Sequence, residues 1–366
     1  MLEYIQTDSE VSTSLIISLL SANNLKSQGP NLKHYKIGVS QIHGFNAEPK
    51  TLDINDDYDF LIFDHSHHPL DSKFVLEDTQ FGNIHYSEIS RRMALLHGNF
   101  TEYNQECDNR VYFPYYFAEV FQPTLNYRRA DILYTRNDKT YDFSCLNRNP
   151  KAERMWFYTY LHQQPFFKNT LSSFYPTWTN GEASQVAELE WYCGNDENVC
   201  QYYIENILPT LPCGIAQDLD KYSRDPGFFT RDINHPAFSD SYINIISEHL
   251  YDVPFLSEKT VKPLAAAQLF LMAGPQYAIR HLEDLGFDVF RDIIDHNYYD
   301  REPDAKQRLL KMLRVANKLF YENIPEIYRN TFLRRERNHT HLFSESFKSR
   351  IFRPLNSWMN NVVGIK

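Results

Sequence analysis

A strand–helix–strand unit in the second half of the chain constrains its fold more than any other feature. The segment Tyr242–Glu248 is an apolar run that ends in a carboxylate, and Phe255–Pro275 continues into a polar turn, a helical stretch and a second apolar run. Strands that alternate with helices in this way are typical of parallel α/β layers. In such layers, ligands bind where the strands end and the helices begin.

The first turn of the predicted helix contains Ser257, Glu258 and Lys259. A helix N-terminus has unpaired N–H groups and the positive end of the helix dipole, so it favours negative charge and disfavours a lysine. A lysine here indicates that an anion faces it. Glu248 and Glu258 are predicted to accept hydrogen bonds from ligand hydroxyls, and Ser257 to cap the helix while facing the same ligand-binding crevice. The unit therefore suits a ligand with phosphates and hydroxyls, such as a nucleotide sugar.

The order strand, Ser-Glu, loop, Ser-Glu-Lys, helix, strand and Gly resembles the donor-binding core of the fucosyltransferase-type glycosyltransferases. Their pattern is roughly Phe-Glu-Asn-Ser followed by Thr-Glu-Lys. In this chain His249 and Leu250 replace Asn-Ser, and Ser257 replaces Thr. The continuation Leu285–Asp300 resembles a longer version found in phage and marine bacterial proteins of that type. The resemblance covers about residues 140–300.

The resemblance implies a GT-B-like fold of class α/β, in which two Rossmann-like domains face each other. It predicts an N-terminal acceptor-side domain over 1–135, a donor-binding domain over 136–303, and a helical tail over 304–366 that packs back on the N-terminal domain. The implied activity moves a sugar from a UDP- or GDP-linked donor to an acceptor hydroxyl. We expect no strict metal requirement, because Lys259, arginines and the helix dipole would meet the phosphate charge.

Short apolar runs also predict the organisation of the first half of the chain. Tyr35–Val39, Asp59–Phe63 and Arg92–His97 are predicted strands, and Ser12–Leu20 is predicted to form a capped helix before them. Their alternation predicts a parallel α/β layer for the first domain as well.

The second domain is predicted to begin with the strand Thr140–Leu146, followed by a helix from about residue 151 to residue 163. Arg148 follows the strand and Arg154 lies on the helix, so both are predicted to support Lys259 at the phosphates, to which guanidinium groups bind in a bidentate manner. The turn Leu-Asn-Arg-x-Pro-Lys-x-x-Arg resembles the opening of the donor-binding domain in several two-domain glycosyltransferases. A helix cap with a solvated arginine remains the alternative.

An inverting sugar transfer needs a base near the acceptor hydroxyl, and the first domain is expected to supply it. The segment Asp64–His68 follows a predicted buried strand, which is where a catalytic loop would lie. Asp64 or His65 is the predicted base. The imidazole has a pKa nearer neutrality, whereas the carboxylate would need an apolar setting. His85 and His97 are weaker candidates.

The same segment leaves two other classes of protein open. An aspartate and three histidines within five residues suit a metal centre, as in a metal-dependent hydrolase or nuclease. No other clear ligand motif accompanies them, and the Ser-Glu-Lys turn would then have no role. A non-catalytic nucleotide-sugar or nucleic-acid binding protein would keep the crevice and lack the base.

Composition bears on the class of protein and its compartment. The 366 residues are 42% hydrophobic, enough for two folded domains, and the 12 glycines form neither a G-x-G-x-x-G nor a P-loop pattern. The five cysteines lack zinc-ribbon spacing and are predicted to be reduced thiols. Without a signal-peptide pattern or an apolar run of transmembrane length, we expect no membrane insertion and a cytoplasmic location, in the host cytoplasm if the protein is phage-encoded.

The acceptor is predicted to be either a DNA base or a glycan. The net charge of −10 disfavours DNA, but Thr331–Lys366 contains seven Lys or Arg residues against two Glu. The resemblance to phage proteins makes a hydroxymethylated base, flipped out of the stack, one possible acceptor. This basic segment is part of a helical stretch predicted after Ala305, with breaks at Pro325 and Pro354.

Overall fold

The structure is a computed structural model in which the chain divides into two compact units, 1–122 with 348–366, and 123–347. The described residues are 2–6, 35–41, 60–65, 80–81, 84–85, 93–98, 100, 110–121, 138–148, 150–175, 181–194, 196–214, 233 and 235–363.

The strands in these residues are β1 Leu2–Gln6, β2 Tyr35–Gln41, β3 Phe60–His65, β4 Gln80–Phe81, β5 Ile84–His85, β6 Met93–His97, β7 Arg110–Tyr112, β8 Tyr141–Leu146, β9 Thr170–Phe174, β10 Cys213–Gly214, β11 Ser241–Ser247 and β12 Leu269–Ala273. The α-helices are α1 Tyr115–Glu119, α2 Ala152–His162, α3 Gly181–Cys193, α4 Glu197–Asn206, α5 Pro236–Ser239, α6 Glu258–Ala265, α7 Ala278–Asp284, α8 Asn297–Asp300, α9 Ala305–Phe320, α10 Ile324–Asn330, α11 Phe332–Leu342 and α12 Glu345–Val363.

The first unit contains a parallel sheet of order β1-β2-β3-β6-β7 in its described part. The predicted strands at 35–39, 59–63 and 92–97 are confirmed as β2, β3 and β6. The predicted helix Ser12–Leu20 lies outside the described residues. Because the spatial order follows the chain order, these strands contain no point at which the order reverses.

The sheet of the second unit does contain such a reversal. Its order is β10-β9-β8-β11-β12, with β9, β8, β11 and β12 parallel and β10 antiparallel at one edge. The chain leaves β8 towards β9 on one side and leaves β11 towards β12 on the other. In open parallel sheets, a crevice forms between the carboxyl ends of two strands whose connections diverge in this way.

The elements predicted around this sheet are confirmed. The strand over 140–146 is β8, the helix from 151 to 163 is α2, and the apolar run ending at Glu248 is β11. Every residue of β11 and β12 is buried, as expected for parallel strands covered on both faces. The fold is therefore α/β with a parallel sheet.

The helical stretch predicted after Ala305 is confirmed as α9 to α12, but the predicted break at Pro354 is wrong. Pro325 lies in the first turn of α10, where a missing N–H is tolerated. Pro354 lies inside α12, which continues through it. The helix persists because an apolar face spaced by three and four residues is buried along it, which offsets the one lost hydrogen bond. This face consists of Phe347, Ile351, Leu355 and Trp358.

The predicted tail over 304–366 is shared between the two units. Residues 304–347 belong to the second unit and 348–366 to the first. Within the first unit, the ring of Phe352 on α12 packs against that of Phe113, with 5.4 Å between the ring centroids.

Two observations bear on the predictions about thiols and membranes. Cys145, Cys193, Cys200 and Cys213 carry free thiols, and Cys107 lies outside the described residues. Within the described ranges, the helices are too short or too polar to cross a lipid bilayer.

Candidate anion-binding site

The candidate site lies in the second unit, where β8 and β11 end next to each other and the strand order reverses. Arg148 and Lys151 follow β8, and Glu248 and His249 follow β11. The N-termini of α2 and α6 come next along the chain. The topology thus brings predicted site residues from two distant segments to one edge of the sheet.

Glu248 organises the loop between β11 and α6. Its side chain is fully buried, and its carboxylate accepts hydrogen bonds from His249 N at 3.0 Å, Ser257 N at 3.2 Å and Ser257 Oγ at 2.6 Å. Thr260 Oγ1 donates to its second oxygen. With both oxygens accepting from the protein, Glu248 fastens the loop to the first turn of α6. This geometry favours a positioning role over the ligand contact predicted from the sequence.

Ser257 caps α6, as predicted. Its hydroxyl accepts a hydrogen bond from Lys259 N at 3.3 Å while donating to Glu248, so both functions of the hydroxyl are used. The buried carboxylate therefore fixes the cap, and the cap fixes the start of the helix that carries Lys259.

Lys259 and Glu258 form an ion pair at this helix start. Lys259 Nζ lies 3.2 Å from Glu258 Oε1 and 3.5 Å from Ser257 Oγ, and the lysine side chain retains 22% exposure. Burial alone would raise the pKa of Glu258, but the charges of Lys259 and Lys262 outweigh it and lower that pKa to about 2. Glu258 is thus ionised at neutral pH, and Lys259 is partly buried yet accessible.

Arg154 supports the same loop from α2. Its guanidinium is buried and donates to the main-chain oxygen of Glu248, from Nη2 at 2.9 Å and from Nε at 3.3 Å. The structure therefore places Arg154 at the end of β11, while its predicted contact with a phosphate stays a prediction. Its observed contact is with the backbone of the loop.

Lys151 and His249 form a second cationic feature beside Arg154. Lys151 Nζ lies 3.0 Å from His249 Nε2. Burial lowers the pKa of His249 to about 3, and the charges of Lys151, Lys259 and Arg154 act in the same direction. His249 is neutral at pH 7, so its Nε2 accepts a hydrogen bond from the Lys151 ammonium group.

Sequence reasoning missed both residues of this pair. The signal for Lys151 was present, because this lysine directly precedes α2 as its N-cap and none of the described side chains caps that helix end. The dipole argument applied to Lys259 therefore applies equally to Lys151. No comparable signal exists for His249, whose partner is 98 residues away in the chain.

Arg148 is half-buried and lies near the end of the neighbouring strand β9. Burial raises the pKa of Tyr175, the residue after β9, to about 12, and the charge of Arg148 opposes that shift. The preceding residue, Asn147, is buried, and its Oδ1 has no hydrogen-bond partner in the described part of the chain. An unpaired buried acceptor at a strand end is a position that a bound donor would satisfy.

The predicted base residues lie in the first unit, at the end of β3, which extends two residues further than the predicted strand. Asp64 and His65 are the last two residues of β3, because main-chain pairing with β6 continues through them and sets His65 in register with His97. The remaining loop residues, 66–68, lie outside the described residues. His97 likewise ends β6, and His85 ends β5.

No family model matches this chain, and the comparison with curated proteins finds no match. The resemblance to fucosyltransferase-type enzymes therefore stays a prediction. The function is inferred from the residues at the β8–β11 edge.

Gly274 supplies a test of how tightly Glu248 is held. A Cβ atom at this position would lie 3.1 Å from Met272 Cγ and 3.3 Å from Glu248 Cγ. Because the bonded carboxylate cannot retreat, we expect Gly274→Ala to lower the free energy of unfolding by about 1–3 kcal/mol, the usual cost of overpacking. Chemical denaturation measures this change in the free energy of unfolding. An unchanged value would show that the Glu248 loop can shift to accommodate the added methyl group.

Proposed function

We propose that the second unit binds the diphosphate of a nucleotide sugar at the β8–β11 edge, and that the protein is a glycosyltransferase. The observation that carries this proposal is the convergence of two helix N-termini, each with a lysine, on the point between β8 and β11 where the order of the described strands reverses. Those lysines are Lys151 and Lys259.

The electrostatics of this edge support an anionic ligand. Burial lowers the pKa of His249, and the charges of Lys151, Lys259 and Arg154 lower it further, which shows that three cations lie close together here. Lys151 and Lys259 also lie at the positive ends of helix dipoles. Such crowding of like charges is costly in a folded protein without a bound partner. A diphosphate would offset that repulsion and gain charge-assisted hydrogen bonds.

Two acceptors support a ligand that also carries hydroxyls or amino groups. Glu258 stays ionised at neutral pH and is partly exposed beside Lys259. Asn147 Oδ1 is a buried acceptor that lacks a partner among the described residues. We assign Glu258 to a sugar or ribose hydroxyl, and Glu248 to positioning the loop.

In the proposed reaction, the anomeric carbon gains positive charge while negative charge grows on the leaving diphosphate. Lys259, Lys151 and the dipoles of α2 and α6 would stabilise that leaving group without a metal ion. The GT-B arrangement, with Asp64 or His65 of the first unit as the base, is part of this proposal. The acceptor is a DNA base or a glycan hydroxyl.

A thermal-shift screen against UDP, GDP, CDP and their sugar conjugates tests the proposal. We expect at least one nucleoside diphosphate to raise Tm, with a weaker effect from the matching nucleoside, because a ligand that binds only the folded state stabilises it. The shift should persist in the presence of a chelator. If no nucleotide shifts Tm, with or without Mg²⁺, the proposed function is wrong.

Turnover distinguishes the transferase from a binding protein that uses the same crevice. The nucleotide sugar that raises Tm most should release its nucleoside diphosphate when hydroxymethylated DNA or a glycan acceptor is supplied. Sugar incorporation into the acceptor identifies the reaction. Binding with no release under any of these conditions would favour a non-catalytic protein.

A further inference from the structure

We infer that Lys151, held in place by His249, is a second anion-binding residue of this site and takes up a proton when the anion binds. The inference rests on the proposed function, because it takes a nucleoside diphosphate as the anion. It adds to that function a partner that positions Lys151 and a measurable linkage between binding and pH.

The geometry connects the two lysines through one rigid set of contacts. Lys151 Nζ lies 3.0 Å from His249 Nε2, and the main chain of His249 donates to Glu248 at 3.0 Å. The same carboxylate accepts from Ser257, whose hydroxyl caps the helix of Lys259. Both ammonium groups are therefore positioned by Glu248, at the carboxyl ends of β8 and β11.

The charged groups that act on Lys151 come from α2, from α6 and from the loop between β11 and α6. On balance they disfavour its ammonium form. Burial lowers the pKa of Lys151 to about 8, and the charges of Arg154 and Lys259 act in the same direction. The charges of Glu153 and Asp252 raise that pKa, but by less than burial and the two cations lower it. The neighbouring His249 is neutral, so it accepts the hydrogen bond of the ammonium group and adds no charge.

A bound diphosphate shifts this balance towards the ammonium form of Lys151. Two or more negative charges beside Lys151 favour its ammonium form and raise its pKa above the value in the unliganded protein. Binding near pH 8 must then take up a fraction of a proton. Below about pH 7, Lys151 is already charged and contributes no uptake. Above about pH 8, affinity should fall as pH rises, because each binding event must first recruit that proton.

Titration calorimetry of the full chain with UDP and GDP, in two buffers of different ionisation enthalpy at about pH 8, counts these protons. We expect uptake by the unaltered protein. Lys151→Arg should bind without uptake, since a guanidinium stays charged at this pH. Lys151→Gln should bind about 10- to 100-fold more weakly, also without uptake.

Lys139 provides a matched control. It precedes β8, at the opposite end of that strand from Lys151, and burial lowers its pKa to about 8 as well. Lys139→Gln should therefore retain both the affinity and the proton uptake.

The outcomes separate this inference from the proposed function. Failure of both nucleoside diphosphates to bind the unaltered protein overturns the proposed function and the inference with it. Binding whose proton uptake is the same in Lys151→Arg and Lys151→Gln as in the unaltered protein overturns the inference alone. Loss of uptake in Lys139→Gln but not in the Lys151 variants also overturns it.

Discussion

Lys259→Ala is expected to weaken nucleoside diphosphate binding by about 10- to 150-fold. A hydrogen bond to a charged group contributes about 1.5–3 kcal/mol, and the substitution removes the accessible ammonium group at the start of α6. Glu258 also loses its ion-pair partner, so the charge of its carboxylate is no longer offset by Lys259 and repels phosphates more strongly. Titration calorimetry with the best-binding nucleoside diphosphate measures this loss.

Lys318→Ala is the matched control for that experiment. Lys318 is an exposed lysine near the end of α9, so its removal changes the net charge equally without touching the β8–β11 edge. Its affinity should stay within about twofold of the unaltered protein, since distant surface charges are screened by salt. Equal affinity of Lys259→Ala and Lys318→Ala would refute the assignment of Lys259.

Glu248→Ala is expected to have the largest effect on stability, lowering the free energy of unfolding by at least about 3 kcal/mol. The substitution leaves donors of His249, Ser257 and Thr260 without their acceptor, and each buried unsatisfied group costs about 1–3 kcal/mol. Urea denaturation followed by circular dichroism measures the change. Nucleotide binding should weaken in parallel, because the starting turn of α6 loses its anchor.

Glu188→Gln on α3 is the control for charge removal alone. Glu188 is exposed, so its substitution should change stability by less than about 0.5 kcal/mol. A loss below about 1 kcal/mol in Glu248→Ala would mean that the carboxylate is not the anchor of the loop.

The elements that the sequence predicted well are those determined by local pattern. Local sequence patterns located β8, β11 and α2 to within one or two residues, and β11 stood out because buried parallel strands are predominantly apolar. Ser257 was identified as a cap because capping depends on residues only two positions apart. By contrast, the pattern around Pro354 did not reveal that tertiary packing keeps α12 intact.

What the sequence did not reveal depends on contacts between distant segments. The reversal of strand order between β8 and β11 is a property of the topology. The same is true of the contact between Lys151 and His249, which are 98 residues apart in the chain. Glu248 looked like a ligand group because a carboxylate at a strand end usually faces a crevice. Its bonding partners in fact come from the next helix start, at Ser257 and Thr260.

A crystal structure of the protein with a bound nucleoside diphosphate tests the central claim most directly. We expect phosphate oxygens within about 3 Å of both Lys259 Nζ and Lys151 Nζ, between the carboxyl ends of β8 and β11. A diphosphate bound elsewhere on the molecule, with neither ammonium group in hydrogen-bonding range, would contradict the account.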